Sequence, residues 1–484
     1  ARFDMTRELW RLNAIEVSQL LKDREVTPQE AIASALGRIA ETNGSVNAVT
    51  TTCEERALNA AAALKPPAGD DRGALSGLPV LIKELTDVAG VRTTYGSPIF
   101  TDHVPTHSDF MVERLENNGG IVLGKTNVPE FGAGAQTFND VFGVTRNPWK
   151  LSRTCGGSSG GSAVALATGQ AWLATGTDMG GSLRNPASFC GVVGLRPTPG
   201  RVPRGTSGGA QVDLLFDTLY VNGPLARNVP DLAFFLDAIA GRDLRDPLSV
   251  DGPRLPFVET TRRALAAPAV KGMRVGFSAN LGVVPVVHEV EAACRAAART
   301  IAGLGADVDE AGLDFTGVED TFMPLRSLWF ATVHEKTLEK YRDRLKPDIV
   351  WNIEQGLKTT ALEIGTADRR RCELYAKMAR YFARHDFLIL PTVITTAFPV
   401  ETKFLTEIEG VKLQNYVSWL VLTFALTLTN CCCLSIPVGF SSEGLPIGLQ
   451  IVAPPFCEDK LLAFAAVLER ELGLAARLPI DPRP

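Results

Sequence analysis

The chain has 484 residues, 45% of them hydrophobic, which is enough to bury a sizeable core. Its net charge is −5 and its charged residues are interspersed rather than blocked, so it lacks the basic footprint that binding a nucleic-acid phosphate backbone demands. The nine cysteines are odd in number and three of them are contiguous, Cys431 to Cys433, which argues against a disulfide framework and for reduced, buried thiols in a cytoplasmic protein.

The first ten residues show no basic segment followed by an apolar one, so no secretory leader is read there. Thr27-Pro28-Gln29-Glu30 is a capping box with proline at the first helical position and predicts a helix start. Leu78 to Lys83 reads as a short buried strand ending in a lysine, Gly120 to Gly124 as a second, and 171–176 as a third that runs into a glycine pair. The stretch 241–272 is rich in proline and charge and reads as a surface connection. Arg274 to Phe277 is strand-like. After it, Val287, Val290, Cys294, Ala297, Ile301 and Leu304 make the apolar stripe of a helix packed on a sheet. Residues 320–385 read as predominantly helical, and Leu388 to Pro391 and Ile447 to Val452 as further strands. The uncharged stretch 416–440 could span a bilayer by length. Its Thr, Ser, Cys and Asn content, with Pro437 and Gly439, favours a buried helix followed by a buried strand, so no membrane association is expected. Alternating strands and helices predict an α/β fold, a single large domain over 1–484 whose sheet is completed by the C-terminal part.

Two familiar patterns are decoys. Gly119 to Thr126 matches GxxxxGK[ST], but Ile121, Val122 and Leu123 favour a strand over a phosphate-wrapping loop, and Pro129 interrupts any following helix. Gly156-Gly157-Ser158-Ser159-Gly160 matches GxSxG, yet the preceding residues are polar and no downstream histidine sits in a catalytic setting. The informative segment is 154–198. Its first half places four glycines around Ser158 and Ser159, and its second half ends a strand in the turn Thr177-Asp178-Met179-Gly180-Gly181-Ser182. Such a turn can aim successive backbone N–H groups at one point, which is how an oxyanion is held. The alternative is a glycine-rich turn with incidental serines. Two such segments beside a lysine that ends a buried strand favour chemistry. No His, Cys, Asp or Glu grouping has metal-ligand spacing, and neither metal nor cofactor is expected.

Segment 154–198 resembles the amidase signature family, as do Gly77 to Glu84, Gly124 to Asn127, Phe142 to Trp149 and Gly444 to Gln450. The resemblance runs through most of the chain. It implies a mixed sheet flanked by helices on both faces, with the catalytic core at about 75–205 and a variable, substrate-facing region at about 320–435. Carried over by position, it makes Ser182 the nucleophile, Ser158 the bridging serine 24 residues before it, and Lys83 the base. It further implies a cis peptide between Gly157 and Ser158, an oxyanion hole formed by the N–H groups of Met179, Gly180, Gly181 and Ser182, and supporting roles for Ser159, Asp178 and Arg184. A serine hydroxyl needs an adjacent base, and a lysine can serve near neutral pH only if its surroundings lower its pKa. The end of so apolar a strand is a place to achieve that, provided that Glu84 and Asp87 point elsewhere.

In the stretch after Pro129, the small residues Gly132 and Ala133 suggest space beside the nucleophile. Trp329, Phe330 and Trp419 are candidates for an apolar wall or for core packing. Asn430 to Cys433 stands where many relatives read Gly-Leu-Pro-Ala. Its cysteines are expected to pack, with a place in the substrate wall as the other reading of Cys431. The resemblance implies hydrolysis of the C–N bond of a small or medium aryl or alkyl carboxamide through a serine acyl-enzyme. The alternatives are a carbamate, a cyclic or oligomeric amide, or glutamine within an amidotransferase. The marker stretch of the amidotransferase subunits has no evident equivalent around 320–400. Oligomeric state is not set by the sequence, and a homodimer is one assembly open to it.

Overall fold

In the computed structural model, residues 8–64, 74–206 and 214–484 are described; residues 1–7, read above for a leader, lie outside them. Eleven strands make one sheet: β1 Val49–Thr52, β2 Pro79–Lys83, β3 Ile121–Thr126, β4 Leu173–Asp178, β5 Val193–Arg196, β6 Val221–Ala226, β7 Arg274–Phe277, β8 Asp307–Glu310, β9 Phe387–Pro391, β10 Cys432–Phe440 and β11 Pro446–Ala453. Their order in space is β1-β3-β2-β4-β6-β5-β10-β11-β9-β7-β8. The sheet is mixed. β3, β2 and β4 run parallel, as do β9, β7 and β8, while β6, β5, β10 and β11 join these sets through antiparallel pairs. The C-terminal strands β10 and β11 thus lie near the middle of the sheet.

Both faces of the central strands are buried, and side-chain alternation sorts them into two cores. Phe387 and Ile389 of β9, with Leu434 and Ile436 of β10, pack in one cluster together with Val290, Cys294 and Ile301 of the helix His288–Gly303. Leu388 and Leu390 of β9 and Cys433 of β10 face the opposite way, towards Phe322, Met378 and Phe424. Those three come from the helices Val318–Tyr341, Ala361–Phe382 and Val421–Thr427. Helices therefore cover both faces of a single large α/β domain.

The expected capping box opens the helix Pro28–Val46, with Thr27 Oγ1 accepting from the Glu30 N–H and the Glu30 carboxylate accepting from the Thr27 N–H. Stretch 416–440 folds as the short helix Val421–Thr427 followed by β10, both buried. Among the described residues no helix is long and apolar enough to cross a membrane. The P-loop-like stretch is strand β3, and Lys125 is fully buried, donating to the Thr86 carbonyl (2.5 Å) and Thr93 Oγ1 (2.8 Å). One expectation fails: the supposed surface connection 241–272 contains the helix Phe257–Ala266. Its proline-rich flanks mask an amphipathic segment that buries Phe257 and Thr261, and the Asp237 carboxylate accepts from the N–H groups of Phe257 and Val258 at its start.

The glycine-rich loop leads into the wholly buried helix Gly160–Ala167, whose first turn lies against the chain that leaves β3. A Cβ at Gly161 would sit 2.3 Å from the Asn127 nitrogen and 2.6 Å from the Ala48 carbonyl oxygen, both backbone atoms that cannot swing away. Gly161→Ala is therefore expected to destabilise the fold by ~1–3 kcal/mol, read as a lower denaturant midpoint; an unchanged midpoint would show that the helix can move outward freely.

Candidate active site

Parallel strands β2 and β4 end side by side, placing Lys83 and Asp178 at their carboxyl ends, where ligands of open α/β sheets bind. Period-two alternation along β4 sends Thr175 and Thr177 to the same side, towards Lys83. The Lys83 N–H donates to Thr175 Oγ1 (3.1 Å), and Lys83 Nζ lies 2.7 Å from Thr177 Oγ1 and 3.5 Å from the Thr177 carbonyl. Its third neighbour is Ser158 Oγ, also at 2.7 Å. Lys83 is fully buried, and burial pushes its pKa well below the usual lysine value, opposed only in part by the Asp178 carboxylate. Glu84 does point elsewhere: it accepts from the Thr94 N–H (2.7 Å) and hydroxyl (2.9 Å) and from Thr50 Oγ1 (3.1 Å). Asp87 accepts from the Tyr95 hydroxyl at 2.6 Å.

Ser158 follows a cis peptide from Gly157. Ser159 joins the two glycine-rich segments. Its N–H donates to the Ser182 carbonyl (3.2 Å), its hydroxyl donates to the Thr177 carbonyl (3.3 Å), and its Oγ accepts from the Thr177 N–H (3.3 Å). Ser158, Thr177, Met179, Gly180 and Ser182 line one cavity. The lysine–serine hydrogen bond is formed, and no hydrogen bond joins Ser158 to Ser182 among the described residues.

Asp178 organises the turn. Burial alone would raise its carboxyl pKa, but Arg184, with help from Arg196 and the Leu183 N–H, holds it down to about 2. Its oxygens accept from Arg184 Nη2 (2.8 Å) and Nε (3.0 Å) and from the N–H groups of Gly181 (3.0 Å) and Leu183 (3.1 Å). The Gly181 N–H, one of the four expected oxyanion donors, is bonded to Asp178 in this structure, because the turn folds back over the carboxylate three residues earlier.

Around the serines the wall is apolar. Leu85, Phe131, Phe322, Trp329, Phe330 and Phe424 line the cavity. Gly132 lies against Ser158, where a Cβ would come within 3.4 Å of Ser158 Oγ, and its φ of 70° falls in the left-handed region that favours glycine. Three other residues read as pocket candidates lie away from the cavity lining. Ala133 is buried in a cluster with Ile349 and Ile353, its carbonyl accepting from Lys346 Nζ. Cys431 is buried at the head of β10, with its thiol pKa pushed up by burial, and it packs rather than lines. Trp419 stacks on Phe189 at 6.2 Å, inside the core. Sequence reasoning passed over Thr177 and Arg326. The first was legible as the residue two after Thr175 on an inward-facing strand; the second had no local signal. All nine cysteines are free, and among the described residues no His, Cys, Asp or Glu group could hold a metal ion.

Asp178→Asn would leave Arg184 and Arg196 buried beside a neutral amide. Removing one partner of such a cluster costs about 3–5 kcal/mol. A fall in thermal midpoint of roughly 3–5 °C is expected, because a chain of this length unfolds with an entropy of about 1 kcal/mol per degree, and an unchanged midpoint would contradict this reading of the turn.

The family described as Amidase matches residues 30–462. An acylamidase of Rhodococcus erythropolis is 33% identical over 480 residues, covering 97% of each chain. A glutamyl-tRNA(Gln) amidotransferase subunit of Moorella thermoacetica is 36% identical over 501 residues, covering 98% of this chain and 99% of its own. The solved structure of a bacterial aryl acylamidase, described as an amidase signature enzyme, superposes with a TM-score of 0.86 at 26% identity, covering 97% of this chain and 99% of its own. With the family matched across most of its length and this fold shared, the chain belongs to the amidase signature family of amide hydrolases.

Proposed function

We propose that the protein cleaves the C–N bond of an amide through an acyl-enzyme on Ser182, with Ser158 and Lys83 moving the protons. The observation that carries this reading is the 2.7 Å contact between a fully buried Lys83 Nζ and Ser158 Oγ, at the floor of a cavity that Ser182 also lines. A neutral amine has two N–H donors and one lone pair. Donating to Thr177 Oγ1 and to the Thr177 carbonyl leaves that lone pair for the Ser158 hydroxyl proton. Ser158 then takes the Ser182 proton as the serine attacks the carbonyl carbon, a step that needs the two serines to close on each other when substrate binds. The N–H groups of Met179, Gly180 and Ser182 are the candidate donors to the oxyanion. As the tetrahedral intermediate collapses, the relay returns a proton to the departing nitrogen, and water later releases the carboxylate by the same route.

The core of the machinery lies within about 75–205, and the apolar wall comes largely from 320–435. That wall suits an aryl or alkyl group and favours the acylamidase reading, with carbamates or cyclic amides as neighbouring chemistries. Identity to the amidotransferase subunit keeps glutamine as a second reading, which a glutaminase assay separates.

An amine leaves only when its nitrogen is protonated, whereas a nitrophenolate leaves unaided. Lys83→Ala and Ser158→Ala are therefore expected to lower kcat/KM on an anilide far more than on the nitrophenyl ester of the same acyl group, by up to the roughly 10²–10⁴-fold that general acid–base catalysis is worth. An organophosphorus reagent is expected to label Ser182. Equal losses on ester and amide, or stoichiometric labelling at Ser158 or Ser159, would end this assignment.

A further inference from the structure

The helix Val318–Tyr341 presents Phe322, Arg326, Trp329 and Phe330 to the catalytic cavity, at positions i, i+4, i+7 and i+8 of one face. Three of these are the aromatic wall described above. The fourth is a guanidinium, and it is the one charged side chain among the described residues lining the cavity.

Arg326 is 5% exposed. Its hydrogen bonds go to neutral partners, the Asn352 side-chain oxygen and the Tyr416 hydroxyl (2.7 Å), and it lies over the rings of Phe330 (4.6 Å) and Tyr416 (5.5 Å). Among the described residues no carboxylate lies within ion-pair distance of it. Other buried arginines differ in one of two ways. Arg184, Arg201 and Arg38 meet the carboxylates of Asp178, Glu458 and Asp481. Arg227, which meets no carboxylate at ion-pair distance among the described residues, gives its guanidinium to the backbone carbonyls of Trp10 and Leu12 and does not line the catalytic cavity, whereas Arg326 does. The nearby cation Lys346 feels the Arg326 charge, which, after burial, helps to lower its pKa. A guanidinium stays charged at any accessible pH, and a buried charge is costly unless an opposite charge meets it. Joining a helix to Asn352 and Tyr416 would be served as well by a neutral amide.

We infer that Arg326 is a specificity residue that receives a carboxylate of the substrate, so that the preferred amides carry an apolar segment ending in an anionic group. This rests on the amidase reading and names the substrate class for the same site. The aromatic walls hold the apolar segment between the scissile carbonyl at Ser182 and the guanidinium, whose planar fork matches a carboxylate. The carboxylate can belong to the acyl part or to the amine part, and the chemistry at Arg326 is the same.

Two arms separate these sources: monoanilides of straight-chain dicarboxylic acids against anilides of monocarboxylic acids of equal length, and N-benzoyl ω-amino acids against N-benzoyl alkylamines. In the wild-type enzyme at least one arm is expected to favour the carboxylate at some chain length by tenfold or more in kcat/KM, mainly through KM. Arg326→Gln keeps a polar group facing Tyr416 and is expected to abolish that ratio, while Arg326→Lys retains part of it. Loss of a purely structural tether would lower both substrates together and leave the ratio intact, which would overturn the inference. So would a wild type that cleaves the neutral amides with no gain from a carboxylate in either arm, a result that needs no variant to fold and leaves the amidase reading standing. Failure to cleave any of these amides, or glutamine, would remove the amidase reading, and this inference with it.

Discussion

The site depends on one buried carboxylate. Asp178 accepts from two backbone N–H groups of the turn that follows it and forms a two-point pair with Arg184. Arg184 in turn donates to the Thr423 carbonyl (2.9 Å), Gln450 Oε1 (2.6 Å) and Thr427 Oγ1 (3.0 Å). A turn beginning at residue 178 is thereby fastened to a helix and a strand more than 230 residues further along the chain. Arg196 closes the other side, donating to the Asp178 carbonyl (2.6 Å) and to the Leu219 carbonyl (2.7 Å). Charges this deep are tolerated because each meets an opposite charge or a backbone dipole.

The same carboxylate bears on Lys83, its negative charge opposing the desolvation that lowers the lysine pKa. The balance falls on the side of desolvation because the two guanidiniums already neutralise Asp178, and because Glu84 is turned away into bonds with Thr94 and Thr50. Burying an ammonium without a dedicated counter-charge favours the neutral amine. Strand β2 is thus both the structural reason for the lysine's burial and the reason that its neutral form is favoured.

Much of this was legible in the sequence where geometry is local. A strand ending in lysine, a strand ending in Thr-Asp before two glycines, and a capping box at Thr27 all appear where periodicity and turn chemistry predict them. What was hidden is what requires distance or an inward-facing minority. Phe257 and Thr261 anchor a helix within a stretch whose proline and charge content signals a loop. Ala133 and Cys431 are small enough to suit either a pocket or a core, and only the path of the chain past Gly132 and the start of β10 decides between them. Gly181 resembles its three neighbours in the turn until the Asp178 carboxylate is seen beneath it. Arg326 carries no motif; only the structure shows that it lines the cavity and, among the described residues, meets no carboxylate there.

The central claim is that Lys83 is a neutral amine in the folded enzyme, and its own titration tests this most directly. Carbon-13 labelling of the lysine Cε positions allows each ammonium to be followed by NMR, and Lys83→Met identifies the signal. Burial depresses Lys125 and Lys346 as well, so this assignment is essential. The account predicts that the Lys83 signal titrates well below those of the exposed lysines. A Lys83 signal that titrates together with the exposed lysines would contradict it, since a permanently protonated amine cannot take the proton of Ser158.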